Sequence, residues 1–424
     1  MSFLILSLFF NSSLFVYKDS LPNGLKILIY PDTNSEIVSC QVWYKVGSYY
    51  EPENLTGISH LLEHMAFKGS KNFPKNSYSE TIRALGGIDN AFTSELYTCY
   101  WADIGKDYYD IVLKMEADRM ANLALDRKEF ETEKRVVMEE RRLGENTPYS
   151  PLWEGFGLIS YFLHPYRQPV IGWMPILERL TYEDLVNWYK NYYQPNNAII
   201  VLSGNVKIDE AMKKIKKYFG KIKKRTDIKE RKPFDLPITG ERRIILKREV
   251  KTPMMIFGYK TCAINDQDFY PLEVLEKILL WGKTSRLYQK LINEKNLLVS
   301  ISGGSDIQKD TGIFYFFLVA EDTSKLFLAE KEIEKELENI INEKIKEEEL
   351  NRIKTRILAE YVFQRERVRS IGFVLGSNEI ATGSYKFYEE YPKRIEQVKE
   401  EEIKEVIKKY FHKDNKISAI LLPK

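Results

Sequence analysis

The sequence predicts a protein of mixed strands and helices made of two related halves, and three observations lead there. The chain has 424 residues, enough for two or three domains with full cores. Stretches that alternate like strands and stretches with helical periodicity both occur along it. A segment near the middle also recurs at the end. Leu180, Leu185, Tyr192, Tyr193, Asn197 and Ile199 match Val398, Ile403, Tyr410, Phe411, Asn415 and Ile417, each pair 218 positions apart. Glu183-Asp184 and Glu401-Glu402 keep the same offset. A constant register over that length implies an internal duplication.

In chain order, residues 1–16 come first and are strongly apolar, with Phe3-Leu4-Ile5-Leu6 and Leu8-Phe9-Phe10 ahead of Asn11-Ser12-Ser13. The run has the length of a signal-peptide core and is too short to span a bilayer. It lacks a basic flank and a clear cleavage site, so a first buried strand competes with it. A leader and export to the periplasm are the expectation, with a cytoplasmic protein as the alternative. No other stretch is long and apolar enough to be a membrane span.

Leu21-Pro22-Asn23-Gly24-Leu25 is a hairpin signal. Leu25, Ile27 and Ile29 alternate, as do Val38, Cys40, Val42 and Tyr44, which predicts two strands. Val46-Gly47-Ser48 breaks the sheet, and Asn54 or Thr56 is placed to cap the helix that follows. A second helix is expected from about Ser79 to Leu85, ended by Gly86-Gly87. Strands over Ile88–Ser94 and Leu96–Trp101 follow, then helices near 108–125 and 128–143.

The first of these helices carries His60-Leu61-Leu62-Glu63-His64. On a helix, His60 and His64 lie one turn apart on one face and can grip a single ion. Glu63 is close enough to take a proton from a metal-held water without being a ligand. A His pair at this spacing is often only a polar helix face. Yet the chain holds four His in all, and two fall here with a Glu between them. The order is that of the H-x-x-E-H inverzincin motif. The helix near 128–143 adds Glu133, Glu139 and Glu140. Glu133 and Glu140 share one face, so one can be a ligand while the other supports a histidine ring.

The charged segment at 221–240 separates an N-terminal domain (17–220) that bears the motif from a C-terminal domain (241–424) that lacks it. Lys plus Arg is 64 against 61 Asp plus Glu, a net +3, which makes no general case for nucleic acid. Three scattered cysteines argue against a disulfide framework.

At this point the chain resembles the M16 (pitrilysin) peptidases, more closely the short two-domain type similar to the mitochondrial processing peptidase β subunit. The likeness runs from Tyr17 to the end. Its most specific stretches are 57–69 (Gly57 to Gly69, around the His pair) and Val136-Val137-Met138-Glu139-Glu140. His164-Pro165-Tyr166-Arg167, Pro169-Val170-Ile171-Gly172 and Tyr193-Gln194-Pro195-Asn196-Asn197-Ala198 add to it. The resemblance implies two α+β halves, each a mostly antiparallel sheet with helices packed on one face. It implies His60, His64 and Glu140 as ligands of one Zn2+ per chain, Glu63 as general base, and Glu133 as the acidic residue behind the ligands. Asn90, Ala91, Phe92 and Thr93 match the edge strand to which an extended peptide adds. His164 and Tyr166 are read as an ordinary turn.

The activity implied is hydrolysis of peptides or unfolded polypeptide. The rival is a non-catalytic core-type subunit of the same fold; a small-molecule hydrolase is more distant. The family's non-zinc halves often carry an Arg and, about seven positions on, a Tyr that contact substrate. Here those positions hold Ile292 and Val299, with Asn296 in place of a Gly. A homologous partner subunit without the zinc motif is therefore expected to form a heterodimer with this chain. In the alternative, a homodimer, Arg286 and Tyr288 would substitute.

Overall fold

The Asn23-Gly24 turn folds as its residues dictate. Gly24 adopts φ +90°, and its N–H donates to the Leu21 carbonyl at 2.9 Å. Strands β1 (Tyr17–Ser20) and β2 (Lys26–Pro31) pair antiparallel on either side. This computed structural model describes residues 14–147, 149–228, 230–237 and 239–424, so the expected leader falls almost wholly outside the described residues. The chain continues through β3 (Ile37–Tyr44), α1 (Ile58–Met65), α2 (Ser77–Ala84), β4 (Ile88–Thr93), β5 (Thr98–Gly105), α3 (Tyr109–Asn122) and α4 (Arg127–Glu145). Next come α5 (Tyr149–Ser160), α6 (Tyr182–Tyr192), β6 (Ala198–Gly204) and α7 (Ile208–Phe219). After the charged segment follow β7 (Arg242–Arg248), β8 (Met254–Thr261), α8 (Phe269–Leu280), β9 (Ser300–Ile307), β10 (Gly312–Val319) and α9 (Thr323–Asn342). The chain closes with α10 (Glu347–Phe363), α11 (Val368–Ala381), α12 (Lys386–Gln397), α13 (Glu400–Tyr410) and β11 (Lys416–Pro423). None of the described helices is long and apolar enough to cross a membrane.

Two sheets result, ordered β1-β2-β6-β3-β5-β4 and β7-β11-β8-β10-β9. Every pairing is antiparallel except β2 with β6 and β7 with β11. The second sheet thus repeats the first without its outermost strand. The duplication reaches single hydrogen bonds. The Asn197 amide donates to the carbonyls of Tyr192, at 2.9 Å, and Lys45, at 3.1 Å. Asn415 donates to those of Tyr410, at 2.7 Å, and Lys260, at 2.8 Å. In each half one amide satisfies a helix-end carbonyl and a neighbouring strand carbonyl at the same crossover.

The compact units, however, are not the contiguous stretches 17–220 and 241–424. The first unit comprises the chain through Leu143, Gln168–Pro233 and Val362–Glu389; the second comprises Gly144–Arg167, Phe234–Tyr361 and Glu390–Lys424. Each sequence half lends one segment to the other unit. Nor is the segment 221–240 a free tether at its start. Gln194 Oε1 accepts from the Arg225 and Thr226 backbones at 2.5 and 3.0 Å, which holds it to the first unit.

The loan gives the first sheet a helix on each face. On one side α3 packs against β3 and β5, as the one-faced arrangement requires. On the other, α11 lies on β3 and β6. It buries an unusual polar row, Ser39, Gln41 and Ser203, all fully inaccessible to solvent. Each finds a partner: Gln41 Nε2 donates to Ser39 Oγ and to the Arg369 carbonyl, both at 3.1 Å, and Ser203 Oγ donates to the Val368 carbonyl at 2.6 Å. The approach is possible because Gly372 and Gly376 face the sheet. A Cβ on Gly376 would lie 2.3 Å from the Trp43 ring, and one on Gly372 would lie 2.3 Å from Gln41 Nε2. Buried Glu379 then ties the helix to Lys18 and Lys26 at 3.0 and 2.8 Å. In the second unit α5 plays this part. Its Leu152 and Phe156 pack on Ile256, Ile417, Ala419 and Leu421.

Candidate metal centre

Helix α1 is eight residues long and strictly two-sided. Ile58, Leu61, Leu62 and Met65 are fully buried, so the i, i+3, i+4, i+7 spacing fixes its rotation. His60, Glu63 and His64 are left on the half-exposed side. Neither Asn54 nor Thr56 caps it. Its N-cap is Gly57 at φ +90°, which has no side chain to offer. The cap comes instead from buried Glu51, whose two oxygens accept the N–H groups of Gly57 at 2.7 Å and Ser59 at 2.8 Å. Burial pushes the Glu51 carboxyl up to about 7 despite those bonds. Trp188 on α6 pins the same turn by donating to Ser59 Oγ at 3.1 Å.

Helix α4 buries Phe130, Glu133, Val137 and Arg141, which aims Glu133 and Glu140 toward α1. One ligand atom from each of His60, His64 and Glu140 lies within 4.8 Å of the others, the one such cluster among the described residues. His64 Nε2 is 3.6 Å from Glu140 Oε2, and His64 Nδ1 is 3.4 Å from Glu133 Oε2. Glu139 points elsewhere, pairing with Arg142 at 3.0 Å. Burial, helped by neighbouring His64, lowers His60 to about 4, so its ring is neutral at ordinary pH. One buried nitrogen of that ring, Nδ1, has no hydrogen-bond partner. Two imidazoles and one carboxylate are a donor set that suits zinc.

Glu63 sits on the same helix face. Burial raises its pKa, opposed by Thr93, whose hydroxyl donates to Glu63 Oε2 at 2.5 Å. Thr93 ends β4, and β4 is the edge of the first sheet. The strand read as a peptide-binding edge thus runs directly from the base. Asn90 and Ala91 lie farther along it, where the Ala91 N–H is taken by Asn90 Oδ1 at 2.8 Å. Phe92 turns to the opposite sheet face, edge-on to Trp43, Tyr97 and Phe373.

His164 and Tyr166 belong to the second unit and take no part in the cluster. His164 is buried, 4.3 Å from the Tyr166 ring, and accepts from the Tyr166 N–H at 3.3 Å, a turn-stabilising role. Two contributors escaped the sequence reading. Glu51 gives no local signal, because its partners lie six and eight residues away across a turn. Lys68, 2.6 Å from Glu133, was readable only as a residue four positions after His64.

A two-sheet α+β protein with a His-His-Glu cluster and a helix-borne glutamate beside an edge strand has the parts that a metallopeptidase needs. Comparison with known proteins supplies the family. Residues 26–152 match the "Insulinase (Peptidase family M16)" family and 179–357 match "Peptidase M16 inactive domain". The chain belongs to the M16 peptidases. It is 28% identical to the zinc protease PqqE of Helicobacter pylori over 95% of this chain and 91% of that protein. It is 26% identical to the uncharacterised zinc protease YmxG of Bacillus subtilis, over 94% and 96%. Among solved structures, a protease from Helicobacter pylori superposes with a TM-score of 0.92 at 27% identity, over 97% of this chain and 100% of that one. An M16 inactive domain from Pseudomonas fluorescens shares the fold, with a TM-score of 0.88 at 15% identity, over 97% and 98%.

Proposed function

We propose that this chain is a zinc-dependent endopeptidase that cleaves peptides or unfolded polypeptide segments. The observation that carries the reading is the convergence of His60, His64 and Glu140 on one point, with Glu63 on the same helix and an edge strand leading from it. The names of the relatives support zinc as the ion. When bound, zinc supplies Lewis acidity and a water whose pKa falls to about 7.

The chain's own groups do the rest. The edge of β4, from Asn90 to Thr93, binds the substrate backbone as an added strand, which gives affinity with little sequence preference. Asn90 releases the Ala91 N–H as the peptide arrives. Glu63 takes a proton from the attacking water and returns it to the departing amine, its raised pKa making it the stronger base. Thr93 holds that carboxylate toward the substrate strand.

Glu63→Gln is the test. The variant should bind zinc as wild type does and lose turnover of an unfolded peptide by about two orders of magnitude or more. Cleavage at near wild-type rate would remove Glu63 as the base. Zinc bound by the wild-type protein without cleavage of any unfolded peptide, alone or with a partner subunit, would favour a non-catalytic role for the fold.

A further inference from the structure

A metal-binding histidine needs its ring plane and tautomer fixed, and the partner of its second nitrogen usually does this. For His64 that partner is Glu133, whose side chain is only 9% exposed, with Oε2 3.4 Å from Nδ1. A carboxylate at the end of a glutamate turns easily about its last bond. Something must therefore aim it. Its other oxygen, Oε1, lies 2.6 Å from Lys68 Nζ.

The chain places Lys68 by a rigid turn. Directly after α1, the Phe67 N–H donates to the His64 carbonyl at 3.2 Å and the Lys68 N–H to that of Met65 at 3.0 Å. Gly69 follows at φ +104°, where a Cβ would lie 2.6 Å from the Lys75 nitrogen, so a side chain there is doubly excluded. The lysine therefore leaves the end of the histidine helix at a set point and reaches back to Glu133.

We propose that Lys68 is a positioning residue of the metal centre. It occupies one oxygen of Glu133, directs the other to His64 Nδ1, and so presents Nε2 toward the point shared with His60 and Glu140. Its charge also offsets one of the two carboxylates that face His64. The inference rests on the zinc-site reading above and adds Lys68 to it.

The experiment measures zinc affinity by competition with a chromogenic chelator, together with the thermal midpoint of the metal-free protein. Lys68→Met, similar in length and uncharged, should weaken zinc binding roughly 10–100-fold, the cost usual for removing such a supporting contact. Lys68→Arg should recover most of it. Adding Lys68→Met to Glu133→Gln should weaken binding no further than Glu133→Gln alone. In cobalt-substituted protein, Lys68→Met should shift the visible d–d bands while Lys68→Arg leaves them in place. Wild-type zinc affinity in Lys68→Met overturns the proposal. So does a loss that follows the metal-free midpoint down and is not recovered by arginine. A wild-type protein that binds zinc no better than His60→Ala would overturn the zinc-site reading itself, and is seen before any Lys68 variant is made.

Discussion

At Glu140, helix geometry chooses between adjacent carboxylates. The Glu139 side chain is 60% exposed and paired with Arg142, whereas the Glu140 side chain reaches within 3.6 Å of His64. Glu140→Ala should therefore leave the purified protein without zinc, since it removes one of three ligands, and Glu139→Ala should retain a full complement. Metal analysis after dialysis checks both, and the opposite pattern would mean that the register of α4 is shifted by one. Glu51 poses a different test. Its pKa is raised by burial to about 7 from 4.5, so the folded protein keeps a proton there that the unfolded chain releases. The stability from this group is fully present below about pH 4.5 and is lost as pH rises through 7, a change on the order of 3 kcal/mol. Denaturant unfolding of the metal-free protein at pH 5 and pH 8 should show that loss in wild type and a flatter profile in Glu51→Gln. Parallel profiles would mean that Glu51 titrates alike in both states.

Among the elements, α11 most depends on close fit. Gly376 sits against Trp43 with no room for a methyl group, and Trp43 cannot yield easily because its Nε1 donates to Gln41 at 3.0 Å. Gly376→Ala should lower stability by about 1–3 kcal/mol, the range for overpacking a close-packed site. Gly240→Ala, which meets nothing within 4 Å, should be near neutral in the same melting experiment. This helix also shows where the sequence stops being readable. The strands around Ile27 and Val42 could be read from alternation, and α1 from its His-Glu-His spacing, because each pattern reports its own local geometry. Which sheet a helix covers is a long-range fact. Gly372 and Gly376 look like poor helix formers until Gln41, Trp43 and Ser203 are seen beneath them. For the same reason the contiguous division near residues 221–240 missed the exchange of α5 and α11 between the units. The candidate ligands were readable because motif and resemblance named them. Glu51 was not, since its role depends on a turn that brings it over the start of α1.

For the whole molecule, the duplication kept a frame and divided the chemistry. The second unit repeats the strand order of the first, yet it lacks the H-x-x-E-H motif, and the Arg and Tyr that the resemblance leads one to expect are not at their positions. Where the resemblance expects an Arg and a Tyr, Ile292 is half-buried and Val299 is 56% exposed. Between them Asn296 takes φ +49°, a left-handed conformation that asparagine tolerates better than most residues, so a glycine-type turn is kept where the resemblance expects a Gly. Arg286 is no ready substitute. Both its Nε and Nη2 are engaged by Glu349, at 2.9 and 2.6 Å, and Nη1 lies 3.3 Å from Glu336. Freeing it would leave the partly buried Glu349 carboxylate without its cation, although Glu336 would keep Lys290 at 2.9 Å. We therefore expect the missing Arg and Tyr to come from a homologous subunit that lacks the zinc motif. An aliphatic residue cannot donate to a peptide or stabilise charge at the scissile carbonyl, so the deficit should appear in turnover rather than in zinc content. The isolated chain should bind zinc fully and cleave an unfolded peptide slowly. Mixing with the motif-less homologue should raise kcat/KM by two orders of magnitude or more, with a heterodimer in sedimentation or light scattering. Substituting the partner's Arg should abolish that gain, while Arg286→Ala in this chain should not. Full activity from the isolated chain, lost in Arg286→Ala, would instead establish the homodimer.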